Sequence, residues 1–414
     1  MAKIPSHIPS LPKPQDLYNI KRDNSNKTFD HALLPKNPKI NHPIHPLETL
    51  SLTPSDFLDH ASTIENLNPT KPAPLEQTPF KHVEKLDDLK ELAMVLDRVD
   101  KFAVDLEHNQ YLSFQGMTCL MQISTRTEDF IVDTLKLHAS VGPYLREAFR
   151  DYKKKKVMHG ACNDILWLQR DFGIYASRVL ALERNSLAHL LKYYCGVYAN
   201  KEYQTTDWRI RPLPKEMVKY AREDTHYLLY IHDLMRITLV SRSDIRVLAY
   251  ESNIRAFPYK LDIRALDMKY KDKNHLLLKV YKKSFKVCLQ LQKKQQFNEI
   301  SWMDVEGIKQ ARLNVSQHGI ASELYEWRDK MARVDDESTD YVMSNKLLIE
   351  ISKKMPQTKS ELVQIIEKFE DHCYLKDHLD ELMETIRTSI SRMEEIFQPR
   401  RLISCILNVS DQMW

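Results

Sequence analysis

The stretch Phe102-Ala-Val-Asp-Leu-Glu107 decides how the central part of this chain folds. Its apolar residues predict a strand that is buried in a sheet. On a strand, residues i and i+2 point to the same face, so Asp105 and Glu107 project side by side. Two carboxylates held near a core repel each other, and burial favours their protonation. The pair is therefore either an ordinary solvent-facing feature or, with a cation to neutralise it, part of a metal site.

The residues around this strand predict a domain of mixed strands and helices. Three more strands are predicted, at 117–124, 129–133 and 156–159. Helices are predicted at 81–100, 144–149, 164–171 and 216–238. Strands that pair first and then alternate with helices indicate an α/β domain with a mixed sheet.

Composition divides the chain into five segments. Residues 1–80 hold 13 of the 19 prolines and predict an extended arm. Residues 81–255 form the α/β domain, and residues 256–300 form a basic helical linker. The pattern from 301 to 392 is helical throughout, which predicts an all-α bundle, and 393–414 is a C-terminal remnant.

The charge distribution changes sign along the second half of the chain. From Arg255 to Glu299, 12 Lys and Arg residues stand against 4 Asp and Glu. From Glu323 to Glu395 the corresponding counts are 11 and 18. The basic stretch either lies near a polyanion or is a solvated helical surface, and the acidic stretch is a poor candidate for binding phosphates.

Composition and motifs argue against several classes of protein. The seven glycines form no G-x-G-x-x-G or Walker motif, which argues against a bound dinucleotide or a P-loop. The six cysteines form no C-x-x-C pair, which argues against a zinc site or a disulfide framework. Apolar runs are too short to span a membrane, and the first residues lack the apolar core of a signal peptide. We therefore expect no membrane association.

Two further motifs carry acids within the α/β segment. In His159-Gly-Ala-Cys-Asn-Asp164 a strand ends at a glycine, and an acid follows near the start of a helix. Such an acid is either a capping residue favoured by the helix dipole or a ligand. In Tyr220-Ala-Arg-Glu-Asp224 the first and last residues share one helix face. They are either part of an ordinary amphipathic helix or a phenol and a carboxylate aimed at one site.

Taken together, four carboxylates and a tyrosine indicate a site for two divalent cations. Hard oxygen ligands suit Mg²⁺ or Mn²⁺. Two such ions about 4 Å apart would clamp the attacking and leaving oxygens of a phosphodiester. Tyr220 would then hydrogen-bond the attacking water and fix its direction of attack.

The flanking sequence adds a family resemblance. Segments 104–108, 159–168 and 220–228 resemble the three motifs of DEDDy exonucleases. Residues 207–214, Asp-Trp-Arg-Ile-Arg-Pro-Leu-Pro, are similar to the exonucleases associated with the nuclear RNA exosome, above all to their plant branch. The segment 324–390 resembles an HRDC (helicase and RNase D C-terminal) domain.

This resemblance implies both a fold and a function. The implied fold is an RNase H-like (DnaQ-type) exonuclease domain followed by an all-α HRDC bundle. The implied activity is hydrolysis of single-stranded RNA from its 3′ end to nucleoside 5′-monophosphates, in nuclear RNA processing and decay with the exosome, in the nucleolus and nucleoplasm. The implied metal ligands are Asp105, Glu107, Asp164 and Asp224, and Tyr220 would orient the water.

Two side chains near the acids are weaker candidates for substrate binding. His108 follows the acid pair directly and is either a contact to the terminal nucleotide or a buried structural histidine. Trp167 lies three residues after Asp164 and either stacks on a base or packs in the core.

The chain departs from the family pattern after Tyr175. About nine residues that the family carries there are missing, and they include an edge strand whose loss would expose backbone groups. We therefore expect a looser fold around Asp164. The family's N-terminal partner-binding domain and basic C-terminal tail are also missing from this sequence, which predicts weaker exosome contact and indicates either a short paralogue or an incomplete gene model.

Two alternatives to an active exoribonuclease follow from these features. The gap after Tyr175 favours a catalytically impaired paralogue that binds RNA or protein. A DNA-directed exonuclease of the same chemistry is the other alternative, although an HRDC-like domain after the exonuclease domain favours the RNase D lineage.

Overall fold

The computed structural model describes residues 8, 10–39, 42–53, 56, 68–182, 185–241, 275–369 and 373–396. They form two compact units. The first comprises the described parts of 1–20, 30–108 and 118–292, and the second those of 21–29, 109–117 and 293–414. Among the helices of the described ranges, none has the length and apolar character that a membrane crossing needs.

A six-stranded mixed sheet forms the centre of the first unit. Its strands are β1 (Phe80–Val83), β2 (Lys101–Asn109), β3 (Met117–Ser124), β4 (Asp129–Val132), β5 (Lys155–His159) and β6 (Val179–Leu182). Their order across the sheet is β1-β4-β3-β2-β5-β6. Strands β2, β5 and β6 run parallel, whereas β3 and β4 are antiparallel. The sheet therefore has the mixed character that the sequence predicted.

Helices flank the sheet. They are α1 (Leu86–Arg98), α2 (His138–Arg150), α3 (Cys162–Phe172), α4 (Lys215–His226), α5 (Leu228–Ser241) and α6 (His275–Cys288). Between β6 and α4 lie one α-turn (Leu187–Leu190), one π-helical turn (Leu191–Cys195) and a 3₁₀ turn (Lys201–Thr205).

Strand alternation divides the interior of this unit between two hydrophobic cores. On β2, the side chains of Phe102, Val104 and Leu106 belong to the core that also contains residues of α1, α2 and α3. Ala103 belongs to the other core, which contains residues of the π-helical turn and α5. Because successive residues of a strand point to opposite faces, the odd-numbered side chains of β2 share the second face.

Two predicted helices were wrong in their bounds. The segment 81–100 was expected to be helical, but Phe80–Val83 forms β1 and pairs in parallel with Asp129–Val132 before α1 begins. The segment 216–238 was expected to be one helix, but it is divided into α4 and α5 at Tyr227, which is buried. In both places tertiary pairing and packing override the local periodicity.

The expected loss of the edge strand is also wrong. Val179–Leu182 pairs in parallel with Lys156–His159 and takes the edge position next to β5. Its outward N–H groups have side-chain acceptors on α6: Val179 N–H donates to Cys288 Sγ at 3.4 Å and Ala181 N–H to Ser284 Oγ at 3.1 Å. The residues that follow Tyr175 thus supply the edge strand.

The arm adds only short pieces of regular structure. It contains one-turn helices at Pro14–Leu17 and Pro46–Thr49 and a two-residue antiparallel ladder between Lys36–Asn37 and His42–Pro43. Within the first unit, the arm residue Leu47 is fully buried in the sheet core. His31 Nδ1 lies 2.7 Å from the hydroxyl of Tyr175.

The second unit is helical in its described residues from 293 to 396. Its helices are α7 (Val315–Val334), α8 (Asn345–Lys354), α9 (Lys359–Ile366) and α10 (Leu379–Ile396), with shorter turns at Ser301–Asp304, Thr339–Val342 and Cys373–Asp377. Side chains of Asn314, Ser344 and Thr358 cap the N-termini of the first three. Such caps satisfy backbone donors that have no partner inside a helix. The bundle encloses its own apolar core, as the sequence predicted.

The proposed segment boundaries are not decided by this division. The part of the predicted linker that the structure describes includes α6, which packs on β6 within the first unit. Residues 242–274 and 397–414, which hold the rest of the predicted linker and most of the C-terminal remnant, lie outside the described residues.

Candidate active site

Three of the predicted metal ligands converge at one place. Asp105 and Glu107 lie on the same face of β2, and Asp224 reaches them from α4. A carboxylate oxygen from each of the three lies within 4.8 Å of the others. Glu107 and Asp224 are buried, and Asp105 is half-buried. The strand alternation and the helix face predicted from the sequence therefore bring these acids together.

Asp164 approaches from a different direction. Strand β5 ends at His159, and Gly160 turns the chain with a left-handed φ of 67°, which suits a residue without a side chain. Helix α3 then begins at Cys162 and places Asp164, which is 5% exposed, in its first turn. The charge of Asp105 acts on its carboxyl group. Asp164 is not one of the three acids in the closest cluster.

Burial raises the pKa of every acid in the site, and repulsion between carboxylates adds to this effect at Glu107, Asp164 and Asp224. Burial raises the pKa of Asp105 to about 7. The pKa of Glu107 is raised well above its usual range by burial first and then by the charges of Asp224 and Asp105. Burial and the charge of Asp105 likewise raise the pKa values of Asp164 and Asp224. The folded protein therefore holds four carboxyl groups where the ionised forms are disfavoured.

This donor set fits divalent metal ions. All the converging groups offer carboxylate oxygens, the ligands that Mg²⁺ and Mn²⁺ prefer. The raised pKa values arise from burial and from neighbouring negative charge, and a bound cation opposes both effects. Asp105, Glu107 and Asp224 would hold such an ion, with Asp164 contributing from α3.

Tyr220 lies beside the acids as its spacing predicted. Its hydroxyl forms a hydrogen bond with the carboxylate of Asp224, one helical turn further along α4. Burial, followed by the charges of Asp224 and Glu107, raises the pKa of Tyr220 above its usual range, so the phenol stays protonated. The rings of Tyr203 and Trp208 pack against it, with centroids 5.8 and 6.0 Å away. Tyr220 is thus a protonated phenol held beside the acids.

Comparison with known proteins agrees with this geometry. The sequence model of a 3′-5′ exonuclease family matches residues 80–239, and that of the HRDC domain matches residues 317–386. Protein RRP6-like 2 of Arabidopsis thaliana is 50% identical over 401 residues, which make up 94% of this chain and 42% of the relative. Exosome complex component 10 of Rattus norvegicus is 43% identical over 313 residues, which make up 72% of this chain and 32% of the relative.

The chain belongs to the RRP6-like family of 3′-5′ exonucleases with an HRDC domain. It spans less than half the length of these two relatives. The catalytic core of RRP6 from Trypanosoma brucei superposes with a TM-score of 0.75 at 29% identity, over 92% of this chain and 99% of that one. The expected family, its plant-like branch and the RNase H-like fold followed by an HRDC bundle are confirmed.

In this RRP6-like chain, the two weaker candidates lie against each other. The rings of His108 and Trp167 stack with centroids 4.1 Å apart and 4° between their planes. Both are half-buried, and Trp167 also packs on the sheet core. The stack joins the end of β2 to the first half of α3. A role of either ring in substrate binding stays a prediction.

Gln122 is a residue of the RRP6-like site that sequence reasoning missed. It is fully buried on β3, and its Nε2 donates to Glu107 Oε1 at 3.0 Å. This bond fixes one oxygen of Glu107 and favours its ionised form. One amide inside the apolar run 117–124 was the available signal, since a buried amide needs a partner.

Asp129, at the start of β4, was also missed. It is 2% exposed and accepts hydrogen bonds from Ser124 Oγ at 2.8 Å, Arg222 Nη2 at 2.9 Å and His226 Nδ1 at 3.0 Å. Arg222 and His226 belong to α4, which also carries the tyrosine and the acid of the site. Asp129 therefore anchors the side of α4 that carries Arg222 and His226. The opposite side of α4 faces the carboxylates of the site. The sequence shows no spacing that links these residues, because the contact joins a strand to a helix 93 residues away.

Proposed function

We propose that this chain is a metal-dependent 3′-5′ exoribonuclease that releases nucleoside 5′-monophosphates from single-stranded RNA. Asp105, Glu107, Asp164 and Asp224 bind two divalent cations, Mg²⁺ or Mn²⁺, and Tyr220 orients the attacking water. The observation that carries the proposal is the convergence of three carboxylates from β2 and α4 within 4.8 Å, in a position where their charges need a cation.

The chemistry divides between the metal and the side chains. Bound cations supply charge neutralisation at the phosphate and acidify the attacking water. Gln122 holds one oxygen of Glu107 in place, so this ligand needs little reorganisation. Tyr220 keeps its proton and directs a hydrogen bond into the acid cluster. A water in line with the phosphorus would meet the hydroxyl at a fixed position, because the flanking rings hold the phenol.

The first test is degradation of RNA by the purified full chain. A labelled RNA with an unstructured 3′ end should shorten stepwise in Mg²⁺ or Mn²⁺ and stay intact in EDTA. Asp224→Asn should lower kcat roughly a thousandfold, because it removes about 4 kcal/mol of metal-mediated stabilisation. Asp87→Asn, at an exposed acid on α1, is the matched control and should keep the wild-type rate. An intact RNA in both metals, with folded protein, would refute the proposal.

Tyr220 has its own test. Tyr220→Phe keeps the ring contacts with Tyr203 and Trp208 and removes only the hydroxyl. We expect kcat to fall about a hundredfold, with the metal-induced rise in Tm retained. A wild-type kcat would show that the hydroxyl has no part in the reaction. Loss of the metal response would instead make Tyr220 a structural support for Asp224.

The substrate class is tested by parallel assays on RNA and DNA of one sequence. Preference for RNA is the proposed outcome, and equal rates would favour the DNA-directed alternative. The impaired-paralogue alternative arose from the missing edge strand, and Val179–Leu182 fills that position. Metal-dependent turnover would exclude it.

We further propose that the chain acts in the nucleus with the RNA exosome, in the nucleolus and nucleoplasm. The support is its likeness to the rat protein named as a component of the exosome complex. A fluorescent fusion should accumulate in these compartments, and an affinity-tagged chain should recover exosome core subunits from nuclear extract. Exclusive cytoplasmic fluorescence and no recovery of core subunits would contradict both parts.

A further inference from the structure

Exposed aromatic rings follow strand β6 and have no role in the site described above. Tyr193 and Tyr198 expose 71% and 77% of their surface. His189 and Lys192, which precede them in the chain, are also exposed. We call these four residues the tyrosine surface. Core packing does not explain them, since rings in water contribute little to folding.

Neighbouring rings orient the side chain of Tyr193. Leu190 and Leu191 anchor the segment, with 2% and 0% exposure in the core on this side of the sheet. The π-helical turn that follows carries Tyr193 outward, stacked on His189 with centroids 6.1 Å apart and 12° between the planes. Tyr194 meets Tyr193 edge-on at 4.8 Å. Rings that are already ordered lose little conformational freedom when a ligand stacks on them.

Positive charge accompanies the rings. Lys192 Nζ lies 5.2 Å from the ring centroid of Tyr198. Lys71 Nζ donates to the carbonyl of Cys195, the last residue of the π-helical turn, at 3.4 Å. From 185 to 205 the sequence has two lysines and one glutamate. Planar apolar faces combined with cations fit a polyanion that carries flat rings, which is single-stranded nucleic acid.

The segment that carries the tyrosine surface follows β6 in the chain and ends beside Tyr220. Strands β2, β5 and β6 are parallel, so their C-terminal ends point to one edge. The acids of β2 and the start of α3 are at this edge, and the segment 185–205 comes after β6 in the chain. Its last turn brings the ring of Tyr203 to 5.8 Å from Tyr220. A single-stranded RNA whose 3′ end lies at the acids can therefore follow this segment away from the site.

We propose that the tyrosine surface binds single-stranded RNA on the 5′ side of the nucleotide that is hydrolysed. This inference rests on the proposed exoribonuclease function. Bases upstream of the reacting 3′ end stack on Tyr193 and Tyr198, and Lys192 faces their phosphates. The surface thereby gives longer RNAs tighter binding than short ones, without touching the reacting bond.

Equilibrium binding tests this without hydrolysis. Fluorescence anisotropy in EDTA measures the Kd of the full chain for labelled RNAs of about 12 and about 3 nucleotides. Tyr193→Ala and Tyr198→Ala should each raise the Kd for the longer RNA about tenfold and leave that for the shorter one unchanged. Tyr193→Phe and Tyr198→Phe should keep wild-type binding. Tyr144→Ala, at an exposed tyrosine on α2, is the matched control.

The outcomes separate this inference from the proposed function. Wild-type affinity in both alanine variants overturns the inference, including the case in which a protein partner covers the surface. An equal loss for long and short RNA also overturns it, because the rings would then belong to the reacting nucleotide's site. Length-dependent loss in EDTA supports it even if the chain hydrolyses no RNA. Active wild-type protein with unaffected alanine variants rejects only the tyrosine surface.

Discussion

The imidazole of His108 lies flat against the indole of Trp167, with 4.1 Å between the ring centroids. His108 follows Glu107 on β2, and Trp167 is one turn after Asp164 on α3. The stack therefore fixes the distance between two elements that carry acids of the site. This gives both rings a structural function whether or not they also touch the substrate.

Replacing Trp167 tests this link. Trp167→Ala should reduce the free energy of unfolding by about 2 kcal/mol, since the side chain is only partly buried, and should lower kcat by loosening Asp164. Trp167→Phe should restore most of both. Urea denaturation and RNA degradation measure the two effects. Trp302→Ala is the control in the second unit, where a partly buried indole lies far from the acids in sequence, and its kcat should match the wild type. An unchanged kcat in Trp167→Ala would show that the stack of His108 and Trp167 does not position Asp164 for the reaction.

Asp129 should matter to activity although it touches none of the acids. Asp129→Asn leaves the half-buried guanidinium of Arg222 without its anionic partner and should cost about 3 kcal/mol of unfolding free energy. Because α4 loses its anchor, kcat should also fall about tenfold at temperatures where the variant is folded. Glu84→Gln, which removes an exposed partner of Lys136, should change stability by less than about 0.5 kcal/mol. Full activity in a folded Asp129→Asn would limit its function to stability.

Metal-free stability should fall as the pH rises. Burial raises the folded-state pKa of Asp105 from 3.8 to about 7. A carboxyl group with a raised pKa contributes its full stability below the unfolded value and loses it as pH rises through the folded value. In EDTA, the Tm of the wild type relative to Asp105→Asn should therefore fall by several degrees from about pH 4 to about pH 8.

Saturating Mg²⁺ or Mn²⁺ should reverse this trend. The ligands bind as carboxylates, so the metal-induced gain in Tm should grow with pH in the wild type. Asp224→Asn should lose most of the gain. Thermal-shift scans with and without metal provide both measurements. A metal-free Tm difference that rises with pH would show that the acids are ionised in the folded protein.

Ser284 should stabilise the edge of the sheet. Ser284→Ala removes the acceptor for the buried N–H of Ala181 and should cost about 2 kcal/mol. Ser352 is equally buried, but its hydroxyl donates to the carbonyl of Leu348 within one helix. Ser352→Ala should therefore cost less than about 1 kcal/mol. Denaturant midpoints compare the two, and equal costs would show that the N–H of Ala181 finds another partner.

The sequence was sufficient for the features that depend on local periodicity. Asp105 and Glu107 are two residues apart and share a face of β2. Tyr220 and Asp224 are four residues apart and share a face of α4. The spacing alone therefore predicted that the members of each pair lie side by side. Strands 117–124 and 156–159 were found from their apolar runs. The resemblance of the flanking motifs supplied the family and the HRDC bundle.

What escaped prediction depends on contacts between distant segments. Strand β1 is short and precedes a helix, and only its pairing with β4 makes it a strand. Gln122 and Asp129 gain their roles from partners 15 and 93 residues away. The edge strand was predicted to be absent because residues of the family's sequence pattern are missing after Tyr175. The apolar residues Val179–Leu182 nevertheless pair with β5 and form the edge strand. Alignment to a pattern cannot reveal that a neighbouring segment fills a structural position.

The two side-chain acceptors on α6, Cys288 Sγ and Ser284 Oγ, also affect whether molecules of this protein can associate through their sheets. An extended peptide joins a sheet by donating and accepting along its last strand. The backbone N–H groups of Val179 and Ala181, which such a peptide would need as donors, already donate to Cys288 Sγ and Ser284 Oγ. The edge of the sheet is therefore closed at these two positions to pairing with a strand of a second molecule. Concentrated Ser284→Ala protein is the form in which fibrils or swapped dimers would first be expected.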